Sequence, residues 1–356
     1  MVLLHRRIDS FEVNAMRKSN LTACLFGIAG MLAIILDGKT AVAGVQEGLE
    51  LCIRTLIPSL FPFFVLSALV TGSLSGIAIR PLRWVCALCR IPVGAESLLL
   101  VGILGGYPVG AGNLAAQYRC GNLSLEDAQR MSVFCNNAGP SFLFGILGTL
   151  FPHIGWVWAL WGIQIISALL TGILLPGDSP RSVSLPNAQE VSLPDALNRS
   201  IKSMASVCGW VLLFRLILTF LGRWILWLIP DPVRVFITGF LELSNGCLAL
   251  SVIESVEIRF ILAGIMLSLG GICVWMQTQA VFPSLSLPYY IAGRALHCLF
   301  SMLLCLSVAL VTEGNRFILC PFILLFAGSG MFVLVYFLRK QKIAVAFCKR
   351  LMYNGL

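Results

Sequence analysis

The sequence predicts an all-α polytopic membrane protein with about 8–10 transmembrane or re-entrant helices, arranged in two repeats that contain broken helices. Of its 356 residues, 58% are hydrophobic and 12% are charged, whereas a soluble domain carries about 25% charged residues. The mean hydropathy is +0.92, and apolar runs recur between residues 21 and 338. Interruptions that contain glycine or proline recur in the same order in both halves of the chain.

The first half of the membrane region is predicted over residues 21–175, after a basic cytoplasmic N-terminus over residues 1–20. "TAVAG" after the first apolar run resembles a signal-peptide cleavage site, but the long polar N-terminus favours an uncleaved span. The predicted elements are a span (21–36), an amphipathic segment along the interface (45–55), a span (56–71), an interrupted stretch (97–119), a helix broken at "NNAGP" (125–153) and a span (156–175).

The second half is predicted over residues 200–338 and follows a polar linker, rich in proline and serine, over residues 176–199. A basic cytoplasmic tail is predicted over residues 339–356. The second-half elements are an amphipathic stretch (196–206), a span (207–227), a segment interrupted at "ELSNG" (235–253), a helix with a Gly-Gly break (260–282), a span (288–311) and a last span (318–338).

The distribution of basic residues predicts the topology. Both termini are rich in arginine and lysine, which places them in the cytoplasm. The loop after the second span carries Arg80, Arg83 and Arg90, whereas its second-half counterpart "IPDPVR" has one arginine set against an aspartate. This asymmetry favours inverted repeats with eight crossings, in which 97–119 and 235–253 are re-entrant hairpins. Ten crossings with parallel repeats are the alternative.

The net charge of +9 is interpreted as the positive-inside bias of a membrane protein, so no nucleic-acid partner is expected. Most of the 13 cysteines lie in apolar stretches and are expected to behave as small hydrophobic residues. Cys86 and Cys89 form a C-x-x-C without a second pair, which favours packing over a metal or redox role. The histidines are scattered, and neither a metal nor a cofactor is predicted.

The interrupted stretches are predicted to form a substrate-binding site. Unpaired backbone groups are costly in lipid, so irregular segments are expected inside protein or along a polar cavity, as in secondary transporters. Gly102, Gly106 and Gly110 also fit close helix packing, but packing does not account for the tyrosine, proline and asparagine beside them. The predicted site residues are Gly105, Gly106, Tyr107, Pro108, Gly110, Asn136, Asn137, Gly139, Glu242, Ser244, Asn245, Gly270, Gly271 and Gln277.

Charged residues inside apolar segments indicate the same region. Glu242 is interpreted as a protonatable or ion-binding group, with a neutral, hydrogen-bonded structural role as the alternative. Arg215 is either the counter-ion of Glu242 or extends to the interface. Arg294 and His297 share one helix face and are placed to line a pathway.

Two first-half motifs carry a family resemblance. The chain resembles the sporulation integral membrane protein YlbJ family, whose members carry the nucleoside-recognition, or gate, domain. The resemblance covers about residues 20–340, and "LELSNG" and "GGICVWMQ" in the second half fit it as well. The matching first-half residues are Gly105, Gly106, Tyr107, Pro108, Gly110, Glu126, Ala128, Arg130, Asn136, Asn137, Gly139 and Pro140.

The resemblance implies a multi-pass protein of the cell (inner) membrane in endospore formers, needed for making the spore cortex. It implies no identified substrate. The expected partners are the lipid bilayer, a small solute of unknown identity, and either further copies of the chain or other sporulation membrane proteins.

Two functions from different classes follow. The first is a transporter-like permease or gate for a small solute, and the second is a non-transporting membrane scaffold for spore-envelope assembly. The sequence has none of the metalloprotease, phosphate-loop, hydrolase or kinase motifs. We therefore expect no enzymatic activity.

Overall fold

The computed structural model describes residues 21–312 apart from 23, 75–78, 178–182 and 184–190. Within this part of the chain the ordered elements are helical, and no β-strand is present. The predicted all-α membrane fold is therefore confirmed. The predicted last span, 318–338, and both basic termini lie outside the described residues.

The described helices of the first half have between 6 and 21 residues. They are α1 (Cys24–Leu36), α2 (Gly38–Leu51), α3 (Ile57–Leu74), α4 (Arg83–Leu88), α5 (Glu96–Gly105), α6 (Val109–Arg119), α7 (Leu125–Phe134), α8 (Pro140–Ile146) and α9 (Ile154–Leu174).

In the second half, four shorter helices lie between two long ones. Its helices are α10 (Leu193–Trp224), α11 (Asp231–Leu241), α12 (Leu243–Ala249), α13 (Val256–Leu269), α14 (Gly271–Val281) and α15 (Leu287–Thr312).

Five helices of the described chain are long and apolar enough to cross a membrane by length and composition. The most enclosed is Val256–Val281, of whose apolar window 61% is buried, so this broken helix lies at the centre of the bundle. The five helices are Gly38–Thr71, Ile154–Leu174, Leu193–Trp224, Val256–Val281 and Leu287–Val311.

Two amphipathic segments expected to be separate from the neighbouring spans are instead parts of long helices. The segment 45–55 continues from α2 through a short π-helical stretch, Cys52–Leu56, into α3. The segment 196–206 lies inside α10, whose start at Leu193 is capped by the Ser192 hydroxyl oxygen accepting from the Asp195 N–H. Helix α10 packs against α2 and α3, and Gly48 of the first segment lies against Leu212 of α10.

The interrupted stretch 97–119 is a helical hairpin. A Cβ atom added at Gly102 or at Gly110 would lie 2.0 or 2.1 Å from the same Cys135 carbonyl oxygen. In a straight helix these glycines would be about 12 Å apart, so the chain reverses between them. It reverses at Gly106, whose φ of +72° is a conformation that favours glycine.

The stretch 235–253 is a second hairpin. A Cβ added at Gly246 of α12 would lie 2.0 Å from the Cα of Gly239 on α11. Seven residues of straight helix would separate these positions by about 10 Å. The tip of this hairpin is Glu242, which is extended between the two helices.

The other two interruptions divide longer helices. Residues 135–139 are not helical and separate α7 from α8. Gly270 separates α13 from α14 and has a left-handed φ of +78°, as expected for a glycine at the end of a helix. Each half therefore follows one order: long helix, hairpin, broken helix, long helix.

The hydrophobic core joins the two halves. Phe260 of α13 makes edge-to-face contacts with Phe151 and Trp156, which flank the start of α9. One core cluster includes residues of α3, α8, α9, α10, α12 and α13. A second cluster joins α5, α6 and α7 to Trp275 of α14 and Tyr290 of α15.

Candidate functional site

The four interruptions of the two halves meet at one place. A Cβ added at Gly139 would lie 3.0 Å from the Cα of Gly106, so the first hairpin tip touches the break between α7 and α8. A Cβ added at Gly270 would lie 3.3 Å from the Tyr107 hydroxyl oxygen. A Cβ added at Gly271 would lie 2.8 Å from the carbonyl oxygen of Gly239, on the second hairpin. The irregular backbone is thus enclosed by protein, as its cost in lipid requires.

Arg294 of α15 connects three of these interruptions. Its guanidinium is fully buried and donates to the carbonyl oxygens of Val133 and Asn136 at 3.2 Å each, and to Asn137 Oδ1 at 2.9 Å. It also donates to the Leu267 carbonyl oxygen at 3.2 Å and to the Tyr107 hydroxyl. Its recorded acceptors are all uncharged, so helix-end carbonyls stabilise this cation.

The asparagine pair of the second interruption lies beside this arginine. Asn136 accepts from the Ala111 N–H through Oδ1 at 3.2 Å and donates to Thr278 Oγ1 and the Tyr290 hydroxyl at 3.2 Å. Asn137 donates to the Phe134 carbonyl oxygen at 2.7 Å. Asn136 thereby ties the break to α6, α14 and α15.

Glu242 forms the N-terminal cap of α12. Its Oε1 accepts from the Ser244 N–H at 3.0 Å, and its Oε2 accepts from the N–H and the side-chain amide of Asn245 at 2.7 and 2.6 Å. The side chain is 2% exposed. These contacts give the carboxyl group a clear structural role, because a carboxylate is favourable at a helix N-terminus.

Arg215 does not contact Glu242 directly. Its guanidinium donates to Asn245 Oδ1 at 2.8 Å and forms an ion pair with Glu47 of α2. Asn245 therefore lies between Arg215 and Glu242, and the predicted counter-ion reaches the carboxyl group only through this amide. The result is a polar chain from Glu47 through Arg215 and Asn245 to Glu242.

A partly enclosed cavity adjoins the interruptions. It contains about 470 Å³ of space not filled by atoms, counting the part that opens outward. Both halves contribute to its wall. The lining residues are Leu60, Phe64, Gly105, Gly106, Tyr107, Ala138, Gly139, Ser141, Phe142, Val207, Val211, Glu242, Leu243, Ser244, Val274 and Gln277.

The predicted site residues divide into two groups around this cavity. Those in its wall are Gly105, Gly106, Tyr107, Gly139, Glu242, Ser244 and Gln277. Behind the wall, Gly110 packs on the Cys135 carbonyl and Asn245 holds Glu242. The whole second group is Pro108, Gly110, Asn136, Asn137, Asn245, Gly270 and Gly271. The substrate-binding role of both groups stays a prediction.

Sequence reasoning missed most of the apolar wall. Val207 and Val211 of α10 line the cavity, but nothing distinguishes them from the other apolar residues of that helix. Arg294 was placed along a pathway and not in the site, although an arginine in an apolar helix is a strong signal.

A buried polar cluster lies next to Arg294 on the same helix. The His297 Nε2 is 3.3 Å from the Gln164 carbonyl oxygen, which makes it the donor, and the Gln164 amide donates to Ser301 Oγ at 3.1 Å. Within the described chain, Arg294 Nε, His297 Nδ1 and Gln164 Oε1 have no hydrogen-bond partner. The cluster joins α9 to α15 inside the bundle.

The C-x-x-C pair is packed in the core, as its isolation in the sequence indicates. Cys86 and Cys89 are both buried, and Cys89 contacts the Leu169 carbonyl oxygen at 3.6 Å. Burial raises the pKa of the Cys86 thiol to about 12, which keeps it protonated at neutral pH. Among the described residues, no group of three or more histidines, cysteines and acids could hold a metal.

One curated protein resembles this chain over most of its length. The sporulation integral membrane protein YlbJ of Bacillus subtilis (strain 168) is 24% identical over 302 aligned residues, which cover 69% of this chain and 72% of that protein. This chain is a relative of YlbJ. The similarity confirms the YlbJ-family resemblance carried by the sequence motifs. No protein-family model matches the chain, and no solved structure does.

Like YlbJ, the chain is an integral membrane protein. Its long apolar helices agree with the words "integral membrane protein" in the name of YlbJ. That name describes a role in sporulation and does not specify a transported solute or a reaction.

Proposed function

We propose that this relative of YlbJ is a transporter-like protein of endospore formation that moves or gates a small solute across the cell membrane, in support of building the spore cortex. The observation that carries the proposal is the meeting of four chain interruptions from both halves beside one cavity. Discontinuous helices at the interface of two repeats are the usual binding sites of secondary transporters.

The proposed topology has inverted repeats, eight crossings and both termini in the cytoplasm. The two hairpins support it, because a hairpin enters and leaves on one side and leaves three crossings to each repeat. The predicted first and last spans bring the total to eight. In this arrangement the hairpin tips at Gly106 and Glu242 approach the cavity from opposite sides of the membrane. No catalytic step is assigned to the chain.

The proposal is tested by filling the cavity. Val207 is a buried cavity-lining residue of α10, and Val207→Trp adds a large side chain to the wall. Ile201→Trp is the matched control, because Ile201 lies on the same helix and is 50% exposed. Each variant is expressed in the native host after deletion of the gene, and spore cortex formation and intracellular solutes are measured at equal protein levels.

We expect Val207→Trp to reproduce the deletion and Ile201→Trp to behave as the unchanged protein. Normal spores and normal solute distribution with Val207→Trp would contradict transport through this cavity. The scaffold alternative makes the opposite prediction: replacing residues 176–195 by a neutral linker would abolish function, and filling the cavity would not.

A further inference from the structure

A short segment before the first hairpin has one uncovered face. This α4 segment, residues 80–88, is a 3-10 turn followed by α4, and its Arg80, Arg83 and Trp84 are exposed. We infer that this face binds the headgroups of acidic phospholipids, with the two guanidinium groups on the lipid phosphate and the indole ring beside them. The inference goes beyond the proposed function, because the contact does not depend on whether a solute is transported.

The position of the α4 segment is at the boundary of the membrane. It begins shortly after the long apolar helix Gly38–Thr71 and precedes the first hairpin, which starts at Glu96. Its inner side packs on α5 and α9, and the following residue, Cys89, contacts the Leu169 carbonyl oxygen near the end of α9. A segment between a membrane-crossing helix and a hairpin lies where the hydrocarbon region ends.

The apolar side chains of the exposed face fit the lipid headgroup region. Trp84 is 69% exposed, and Leu88, one turn further along α4, is 42% exposed. An indole ring favours the membrane interface, where its apolar body leaves water and its N–H stays hydrated. The opposite side of α4 packs in the core through Cys86, so the side with Trp84 faces away from the protein.

The two arginines of this face have no acidic partner within the described chain. Neither Arg80 nor Arg83 takes part in the ion pairs recorded there. Arg90, in the loop that follows, is instead held by the protein, because it donates to the Gly177 carbonyl oxygen at 2.8 Å. Guanidinium groups bind phosphate oxygens through paired N–H donors. A phospholipid supplies such a phosphate together with acyl chains for the apolar side chains beside it.

An acidic phospholipid fits this face better than other anions. A soluble phosphate would satisfy the arginines but would leave Trp84 and Leu88 in water. An acidic protein would have to displace lipid from a segment that already lies at the membrane surface. The phosphate of a zwitterionic phospholipid is neutralised by the ammonium group of the same headgroup, so basic residues attract acidic phospholipids more strongly.

The test compares lipids that differ in headgroup charge. Purified full-length protein in detergent is mixed with equal amounts of phosphatidylglycerol and phosphatidylcholine that have the same acyl chains, and the retained lipids are counted by native mass spectrometry. We expect the first phosphatidylglycerol to bind at least about tenfold more tightly, which corresponds to about 1.4 kcal/mol. Two basic residues near a membrane surface supply an attraction of this order.

Two outcomes of this comparison would overturn the inference. Equal retention of the two lipids would show that the face does not distinguish their charge. Displacement of the bound phosphatidylglycerol by millimolar inorganic phosphate would indicate a site for soluble anions.

Variants locate the contact on the α4 segment. Arg80→Gln combined with Arg83→Gln should remove the preference for phosphatidylglycerol, and the corresponding pair of lysine substitutions should keep most of it, because the charge remains. Arg54→Gln combined with Arg234→Gln is the matched control. It removes the same net charge, but from arginines that are each paired with a carboxylate. An equal loss of preference in the control would show that net charge attracts the lipid and would contradict a contact at this face.

A further substitution tests the indole ring. Trp84→Ala should weaken the retention of both lipids and keep the preference for phosphatidylglycerol, because the ring contacts the part that the two lipids share. Unchanged retention of both lipids would contradict the position of Trp84 in the contact.

Discussion

Arg294 links three chain interruptions from one position on α15. Its acceptors come from the end of α7, from the following Asn136–Asn137 pair, from Tyr107 and from the last turn of α13. Carbonyl groups at helix ends have no partner within their own helix. A guanidinium offers five N–H donors in a fixed geometry, so it can satisfy several of these carbonyls at once.

We predict that Arg294→Met strongly destabilises the protein. The substitution keeps the side-chain length but leaves several buried acceptors without a donor, which costs about 1–3 kcal/mol for each group left unpaired. The midpoint of thermal unfolding in detergent should fall clearly. Arg223→Met is the control, because Arg223 is 63% exposed and pairs with one carboxylate. An equally small effect of both substitutions would show that Arg294 does not hold the breaks together.

Glycine spacing determines how closely the hairpin elements approach their neighbours. α5 and α6 both pack on the Cys135 carbonyl oxygen through Gly102 and Gly110, with no room for a β-carbon at either position. In the second half, Gly239 and Gly246 bring the two helices of the hairpin into direct backbone contact. The two hairpins, whose tips line the cavity, are therefore held by close backbone contact, which small residues permit in membrane proteins.

In the hairpin of α5 and α6, Gly110→Ala should disrupt the packing. The new methyl group would lie 2.1 Å from the Cys135 oxygen, and relieving such an overlap costs about 1–3 kcal/mol. Gly112→Ala on the same helix is the matched control, because no neighbouring atom lies within 4 Å of its added Cβ. Removing a helical glycine there should stabilise the protein by about 0.5–1 kcal/mol. Thermal unfolding of both variants measures the difference, and equal midpoints would refute the hairpin contact.

In the described part of the chain, the two halves pack into one core. Aromatic contacts of Phe260, the bonds of Arg294 and the shared cavity all cross between the halves. The two halves therefore do not form independent domains. Opposite orientation of the halves would bring the two hairpin tips to the cavity from the two sides of the membrane.

This topology predicts opposite labelling of two equivalent loops. Cys120 follows the first hairpin and is exposed, and Ser251 at the end of the second hairpin is also exposed. Two variants are compared: one keeps Cys120 as its single cysteine, and the other carries Ser251→Cys as its single cysteine. A membrane-impermeant maleimide should label the Ser251→Cys variant in intact cells. It should label Cys120 only after the membrane is opened. Labelling of both from the same side would favour parallel repeats.

The motifs located the interruptions correctly but could not give their partners. "GGYP", "NNAGP", "ELSNG" and the Gly-Gly pair each mark a place where the described chain leaves the helical conformation. The two amphipathic segments were wrongly separated from the neighbouring spans, because an amphipathic pattern also fits a helix that packs one face on a neighbour. Arg215 was expected either to be the counter-ion of Glu242 or to extend to the interface. The contact through Asn245 could not be predicted, because it depends on the approach of α10 to α12.

The sequence by itself determined the membrane class, the helical fold, the positions of the breaks and the relationship to YlbJ. Each of these depends on local composition or on spacing along the chain. Only the tertiary structure decided that the breaks converge, that Arg294 joins them, and that valines of α10 close the cavity. Several of those contacts join residues more than a hundred positions apart, such as Arg294 with Asn137, and their geometry depends on how the helices pack against one another.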